Sequence, residues 1–117
     1  MNKFDLQKRT MGLAVEVVKL TKSLPYSQEG KIITNQIIRC ASSTAANYRA
    51  SCRAKSRKDF IAKMGIVEEE CDETIFWLEF MNEIRIIDPQ ISDRIKKEAN
   101  TILSIVVASI KTASKGL

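Results

Sequence analysis

The fold of this chain is decided by residues 56–81, SRKDFIAKMGIVEEECDETIFWLEFM. The segment begins with a capping box, in which the Ser56 hydroxyl and the Asp59 carboxylate can bond the free amides at the start of a helix. Its apolar residues then recur every three or four positions, close to a heptad repeat. The stripe consists of Phe60, Met64, Val67, Cys71, Ile75 and Leu78. This period predicts one long helix with a single apolar face.

Three other segments carry the same helical period. The first follows a candidate N-cap, Asn2, and we expect it to end before Pro25. The second begins after Ser27, and the fourth begins at Asp88-Pro89, residues typical of an N-cap and a first helical position. The predicted helices cover residues 3–23, 28–50, 57–85 and 89–113. We therefore predict an all-α protein, one domain over residues 1–117, folded as an up-down-up-down antiparallel four-helix bundle.

Two of the predicted apolar stripes are wider than one bundle requires. Trp77 and Phe80 flank the stripe of the third helix, and Leu103 and Val107 flank that of the fourth. Either the core is large, or part of this surface meets another copy of the chain, because extended exposed apolar surface usually marks an interface. We expect self-association.

Composition excludes several classes of site. The chain has no histidine, and its three cysteines form no C-x-x-C pair, so zinc sites built from Cys and His are excluded and no cofactor is expected. We expect the cysteines to be small buried residues in a reducing compartment. No apolar run reaches membrane length, and the N-terminus lacks the apolar core of a signal peptide. We expect a soluble, cytoplasmic protein.

Positive charge is concentrated around the bend between the second and third helices. Residues 1–63 hold 13 Lys and Arg against 4 Asp and Glu, whereas residues 64–117 hold 6 against 10. An up-down bundle places the bend beside the start of the first helix and the end of the fourth. Such a basic end is typical of a site for nucleic-acid phosphates. We call this end the basic pole; it consists of Arg49, Arg53, Lys55, Arg57 and Lys58, flanked by Lys8 and Arg9.

Other interpretations of this region stay open. The charge could belong to a solvated loop, or it could contact the acidic surface of a neighbouring copy or a partner protein. Tyr48 could stack on an unpaired base, although it falls on the core stripe of the second helix. Asn47 could cap that helix, bond across the bundle or contact RNA. We expect Asn47, Tyr48, Ser56 and Asp59 to have structural roles.

The acidic run of the third helix raises the question of catalysis. Glu69, Glu70 and Glu73 resemble the E-E-x-x-E half of the Mg²⁺ site in all-helical nucleoside triphosphate pyrophosphohydrolases. Those enzymes need a second acidic pair on the next helix, but Asp93 and Glu98 are five residues apart and do not share a helical face. We expect no enzymatic activity, and a Mg²⁺-dependent nucleotide pyrophosphohydrolase stays as an alternative.

The central segment resembles the four-helix bundle proteins first noted as open reading frames in 23S rRNA intervening sequences. The matching features are the small-residue run that ends in Asn47, the basic bend, the opening of the third helix, and the Glu-rich stretch leading into Trp77. The resemblance covers residues 5–112 and is most specific over 36–83. Many members carry Asn-x-x-Glu-Gly where this chain has NYRAS at 47–51, so the bend here is more basic.

This resemblance implies a bundle that assembles as a ring-shaped homopentamer and, for most members, no known enzymatic activity. A related branch, the accessory variability determinant proteins of diversity-generating retroelements, uses a basic pentamer to bind nucleic acid and a reverse transcriptase. We therefore expect a homo-oligomeric protein that binds nucleic acid, structured RNA in particular. The alternative is a protein-interaction scaffold, for example a reverse transcriptase accessory subunit, without nucleic-acid binding of its own.

Overall fold

The computed structural model describes residues 1–117 and contains four α-helices and no strand. The helices are α1 (Lys3–Thr21), α2 (Gln28–Ser51), α3 (Arg57–Glu83) and α4 (Pro89–Ser114). All four begin at the predicted residue. Helices α1 and α3 end two residues earlier than predicted, and α2 and α4 extend one residue further. None of the four helices contains an apolar segment that could span a membrane.

A polar side chain caps the start of every helix. Asn2 accepts hydrogen bonds from the amides of Phe4 and Asp5, and the Asp5 carboxylate accepts one from the Asn2 amide. Ser27, Ser56 and Asp88 each accept a bond from an amide in the first turn of α2, α3 and α4. The caps satisfy amides that have no partner within the helix, which explains why the helix starts were predictable.

The chain makes a close approach where it enters α2. A side-chain carbon added to Gly30 would lie 2.6 Å from the carbonyl oxygen of Pro25. Only glycine therefore fits where the connection from α1 folds back over the first turn of α2.

Each helix packs against the next in chain order, and α4 also packs against α1. The diagonal pairs, α1 with α3 and α2 with α4, have no Cα atoms within 8 Å of each other. Cross-helix contacts show the antiparallel order: Arg9 and Glu16 of α1 meet Glu98 and Arg94 of α4 in reverse order, and Ser92 at the start of α4 donates to Asn82 at the end of α3. The molecule is a four-helix bundle with principal extents of 49 × 21 × 21 Å.

The core is built from the predicted stripes. On α3, Met64, Val67, Cys71, Ile75 and Leu78 are buried as expected, while Phe60 at the end of the bundle is half-buried. Trp77 and Leu103 pack partly against the core, but Phe80 and Val107 are exposed. The width of the predicted stripes therefore reflects both a larger core and apolar surface left outside it.

Candidate nucleic-acid interface

The basic pole lies at one end of the bundle, on the last turn of α2, the α2–α3 connection and the first turn of α3. Its five central residues, Arg49, Arg53, Lys55, Arg57 and Lys58, are all exposed. Arg57 donates from Nη1 to the carbonyl oxygen of Lys115 at 3.1 Å, which ties the start of α3 to the end of α4. The structure thus brings the bend and the end of α4 together.

Local hydrogen bonds define the shape of this connection. The amides of Arg53 and Ala54 donate to carbonyls in the last turn of α2, at 3.0 and 3.1 Å. The Ser56 hydroxyl accepts from the Asp59 amide at 3.0 Å, as predicted. The Asp59 carboxylate, however, accepts from the Lys55 amide at 3.0 Å, one residue before the cap. Asp59 and Ser56 therefore order the connection that carries Arg53 and Lys55.

Asp59 is also neutralised within its own helix. Its second carboxylate oxygen accepts from Lys63 Nζ at 2.6 Å, and this bond, together with the Lys55 amide, lowers the pKa of Asp59. None of the five central cations of the basic pole forms an ion pair with a carboxylate. Their charge is therefore available to an external anion.

The two flanking cations differ from each other. Lys8 is exposed and forms no ion pair, whereas the Arg9 guanidinium makes a two-bond pair with Glu98 of α4, with Nε 2.8 Å from Oε2. The hydrogen bond to Glu98 raises the pKa of Arg9. Arg9 is already engaged in holding α1 against α4, a contact that helical spacing within one segment does not reveal.

Asn47 and Tyr48 face inward or along their own helix. Tyr48 is only 6% exposed, and burial raises the pKa of its hydroxyl. Asn47 is half-buried and donates to the carbonyl and hydroxyl oxygens of Ser43 at 2.9 and 2.8 Å. Its hydrogen bonds thus lie within α2 and neither cap the helix nor cross the bundle. The Tyr48 ring is not positioned to stack on a base.

A second polar cluster lies between α2 and α3, away from the basic pole. Glu73 Oε2 accepts from Arg39 Nη2 at 2.7 Å, from the Cys40 thiol at 2.8 Å and from the Trp77 indole at 3.2 Å. Glu70 binds the other terminal nitrogen of Arg39 at 2.9 Å. We call these five residues the Glu73 cluster. Sequence reasoning missed it because Arg39 and Cys40 come from a different helix.

The Glu73 cluster holds donor atoms that suit a metal ion, since the ligand atoms of Cys40, Glu70 and Glu73 lie within 4.8 Å of one another. The guanidinium of Arg39 supplies positive charge there instead. Burial, followed by the bond to Glu73, raises the pKa of the Cys40 thiol to about 12, and the same hydrogen bond lowers the pKa of Glu73. A neutral thiol and an ion-paired carboxylate are what a structural cluster requires.

The carboxylates considered for a pyrophosphohydrolase site point to different helices. Glu70 and Glu73 face α2 through Arg39, whereas Glu98 faces α1 through Arg9. Asp93 accepts a long hydrogen bond, 3.4 Å, from Asn82. The second acidic pair that such a site needs is therefore not brought to the first.

Comparison with known families gives a match along nearly the whole chain. The model of the 23S rRNA-intervening sequence protein family matches residues 2–108. The chain belongs to this family. The match includes all of α1, α2 and α3 and most of α4, so it covers both the basic pole and the Glu73 cluster.

A solved structure supports the assignment to the 23S rRNA-intervening sequence protein family. It is the crystal structure of a protein with unknown function from the S23 ribosomal protein family of Bacteroides thetaiotaomicron. The two chains are 31% identical, with a TM-score of 0.87 over 95% of this chain and 99% of that one. No curated protein matches. Membership therefore establishes the family and the four-helix fold, and the relative brings no described activity with it.

Proposed function

We propose that this protein is a non-enzymatic, homo-oligomeric nucleic-acid-binding protein whose basic pole contacts the phosphates of structured RNA. The observation that carries the proposal is the concentration of five exposed cations without ion pairs at one end of the bundle. By contrast, the flanking Arg9 is paired with Glu98, and Arg39, Arg94 and Lys96, which lie outside the basic pole, are also paired with carboxylates of neighbouring helices.

The chemistry of the basic pole favours phosphate contacts over base recognition. Three of its five central cations are arginines, whose planar guanidinium groups can bind a phosphate through two hydrogen bonds. Tyr48 is buried and offers no stacking surface. Phosphate contacts position a protein without reading sequence, so we expect recognition of RNA shape and charge.

Assembly would increase the affinity of this surface. The family resemblance implies a ring-shaped homopentamer, in which the basic pole is repeated once per subunit. Binding of one subunit then raises the effective concentration of the others at the same RNA, so that weak contacts add up to stable binding. The pentameric ring is part of the proposal.

The test is a titration of a fluorescently labelled RNA hairpin at several salt concentrations. Each phosphate contact contributes about 0.7–0.9 to the slope of log affinity against log salt, so five cations give a slope of about −4 for each engaged subunit. Replacing Arg53, Arg57 and Lys58 with Gln should weaken binding to all RNA sequences and reduce that slope by about 2 to 3.

A matched control removes the same charge from the other end of the bundle. Lys19, Lys22 and Lys31 are exposed, form no ion pair, and lie at the end of α1 and the start of α2. Their triple Gln variant should bind RNA nearly as well as the wild type. Equal losses in the two variants would show that net charge alone drives binding, and would refute the site.

The exposed apolar residues of α3 favour a second candidate, a protein-interaction scaffold. One form of it is an accessory subunit of a reverse transcriptase, as in the related retroelement branch. This candidate predicts no RNA affinity at physiological salt, so the same titration separates it from the first. A nucleotide pyrophosphohydrolase would instead show Mg²⁺-dependent hydrolysis that is lost in Glu69→Gln.

A further inference from the structure

The outer face of α3 carries an aromatic surface that lies largely outside the core, with only Trp77 packed partly against it. The rings of Phe76, Trp77 and Phe80 lie against one another, with centroid separations of 5.0, 5.9 and 5.6 Å. Phe76 is 51% exposed and Phe80 38% exposed. We call these three residues the aromatic ridge. Aromatic side chains are costly to leave in water and are enriched at protein interfaces.

The surroundings of the aromatic ridge are negatively charged. Glu69, Asp72, Glu79 and Glu83 are exposed on the same helix, and α3 has no Lys or Arg after Lys63. Glu79 alone among these four has an ion pair, with Lys96 at 3.5 Å. A partner for this face therefore needs apolar surface bordered by positive charge.

Such a surface exists on the other side of the same molecule. A groove of about 710 Å³ runs between α1 and α2. Phe4, Met11 and Val15 of α1 are exposed along it, and the small side chains of Ala45 and Ala46 form its wall on α2. We call this the α1–α2 groove.

The charges of the α1–α2 groove complement those of α3. Its cations, Lys8 and Arg49, are exposed and form no ion pair. Its one carboxylate, Glu16, lies within 3.7 Å of Arg94 of α4. The groove thus presents apolar side chains and small residues bordered by free positive charge.

The two faces cannot meet within one molecule. Helices α1 and α3 are diagonal in the bundle, so the aromatic ridge and the α1–α2 groove lie on different sides. Two copies that joined ridge to ridge would bring the acidic residues of α3 together, and groove to groove would bring the cations together. Opposite charges meet only when the ridge of one copy faces the groove of another.

The dimensions of the bundle allow a stable contact of this kind. One side, about 49 by 21 Å, has an area on the order of 1,000 Å². A specific interface of standard size buries roughly 800 Å² on each partner. One side of the bundle therefore has the area that a specific contact needs.

We propose that copies of this chain associate head to tail, with the aromatic ridge of one seated in the α1–α2 groove of the next. The inference rests on the self-association in the proposed function and names the surfaces that meet. A contact between two different faces repeats from copy to copy and either closes into a ring or continues as a filament. Lys8 and Arg49 then face acidic residues of α3, which leaves Arg53, Lys55, Arg57 and Lys58 for RNA. In the oligomer the salt slope for each engaged subunit is therefore about −3, and the value of about −4 applies to the isolated subunit.

Two double variants test the contact by light scattering coupled to gel filtration. Phe76→Gln with Phe80→Gln removes the ridge, and Met11→Gln with Val15→Gln removes the groove; all four positions are exposed, so folding should be retained. We expect each variant to be monomeric. In a one-to-one mixture, the groove variant supplies an intact ridge and the ridge variant supplies an intact groove. The two should therefore form a dimer, which has no further intact surface and cannot grow.

The control replaces two exposed apolar residues of α4, Ile91 and Val107, with Gln, and should leave the wild-type oligomer unchanged. An oligomer that survives one of the two double variants but not the other would show that the ridge and the groove do not pair with each other, and would overturn the inference. Survival of both variants would place the contact on another surface, also overturning it.

A monomeric wild type would overturn the inference together with the self-association in the proposed function. RNA titration of the monomeric variants keeps the two proposals separate. Salt-dependent binding by isolated subunits supports the basic pole whatever the outcome for the subunit contact.

Discussion

Glu73 gives the most direct test of how α2 and α3 are held together. Its Oε2 atom accepts from Arg39, Cys40 and Trp77, and Gln at this position keeps the size but removes the charge. A hydrogen bond to a charged group contributes about 1.5–3 kcal/mol when buried. The side chains of Glu73 and Arg39 are 36% and 49% exposed, so solvent screens most of the ion-pair part.

Weakened bonds from the Cys40 thiol and the Trp77 indole make up the rest of the cost. We expect Glu73→Gln to lower the free energy of unfolding by about 1–2 kcal/mol at pH 7. The assay is urea denaturation followed by circular dichroism and by the fluorescence of Trp77, the only tryptophan. Protein concentration must be held fixed, because self-association also stabilises the folded state.

The pH dependence follows from the direction of the pKa shift. Folding lowers the pKa of Glu73 below its ordinary value of 4.5, so the charged group stabilises the fold at pH values above 4.5. That stabilisation is lost as the pH falls through the lower folded-state pKa. The difference between wild type and Glu73→Gln should therefore be constant near neutrality and shrink in acid.

Glu69→Gln is the matched control, because Glu69 is exposed on the same helix and has no hydrogen bond or ion pair. It should change stability by no more than about 0.5 kcal/mol. Equal effects of the two substitutions, or a Glu73→Gln penalty that persists unchanged in acid, would refute the role given to the cluster.

Three further predictions test the local structure. Gly30→Ala should destabilise the fold, because the added carbon would meet the Pro25 carbonyl oxygen. Gly65→Ala should stabilise α3 by about 0.5–1 kcal/mol, because nothing lies within 4 Å of the added carbon. Urea denaturation midpoints that move in the same direction for the two variants would contradict this prediction. Ser56→Ala should cost about 1 kcal/mol through loss of the α3 cap, measured in the same way, and no loss would remove that role. In the native protein at pH 8, a thiol reagent should label the half-buried Cys52 well before Cys40, as measured by mass spectrometry. The reason is that Cys40 is buried and its thiol has a pKa of about 12. Similar labelling rates would contradict the burial of Cys40.

The four helices were predictable because each carries its own period and its own cap. The C-terminal ends of the helices were harder to predict. Helix α1 stops at Thr21 although Pro25 is the first strong stop signal, and the hydroxyls of Thr21 and Ser23 bond carbonyls of its last turn. Helix α3 ends before Arg85, which has a positive φ of 59°. Glycine is the residue that usually adopts a positive φ at the end of a helix, so the sequence carries no signal for this end.

The basic pole was predictable in place because its residues are contiguous in sequence and the topology fixes which ends meet. The ion pairs that these charges form could not be predicted from the sequence. Arg9 and Glu98 are 89 positions apart, and whether they meet depends on how α1 and α4 are rotated about their axes. The same applies to Arg39 and the carboxylates of α3, since only the packed core determines that rotation.

The packing of each helix against the next also has a consequence for folding kinetics. Three of the four helix pairs join neighbours in sequence, so their contacts form with little loop-closure entropy and favour rapid folding. The interface between α1 and α4 is the smallest of the four helix interfaces. Its Arg9–Glu98 ion pair joins residues 89 positions apart, so a long segment of chain must be closed to form it. We expect this interface to close last and to open first, so that amides of α1 exchange with solvent sooner than those in the middle of α3.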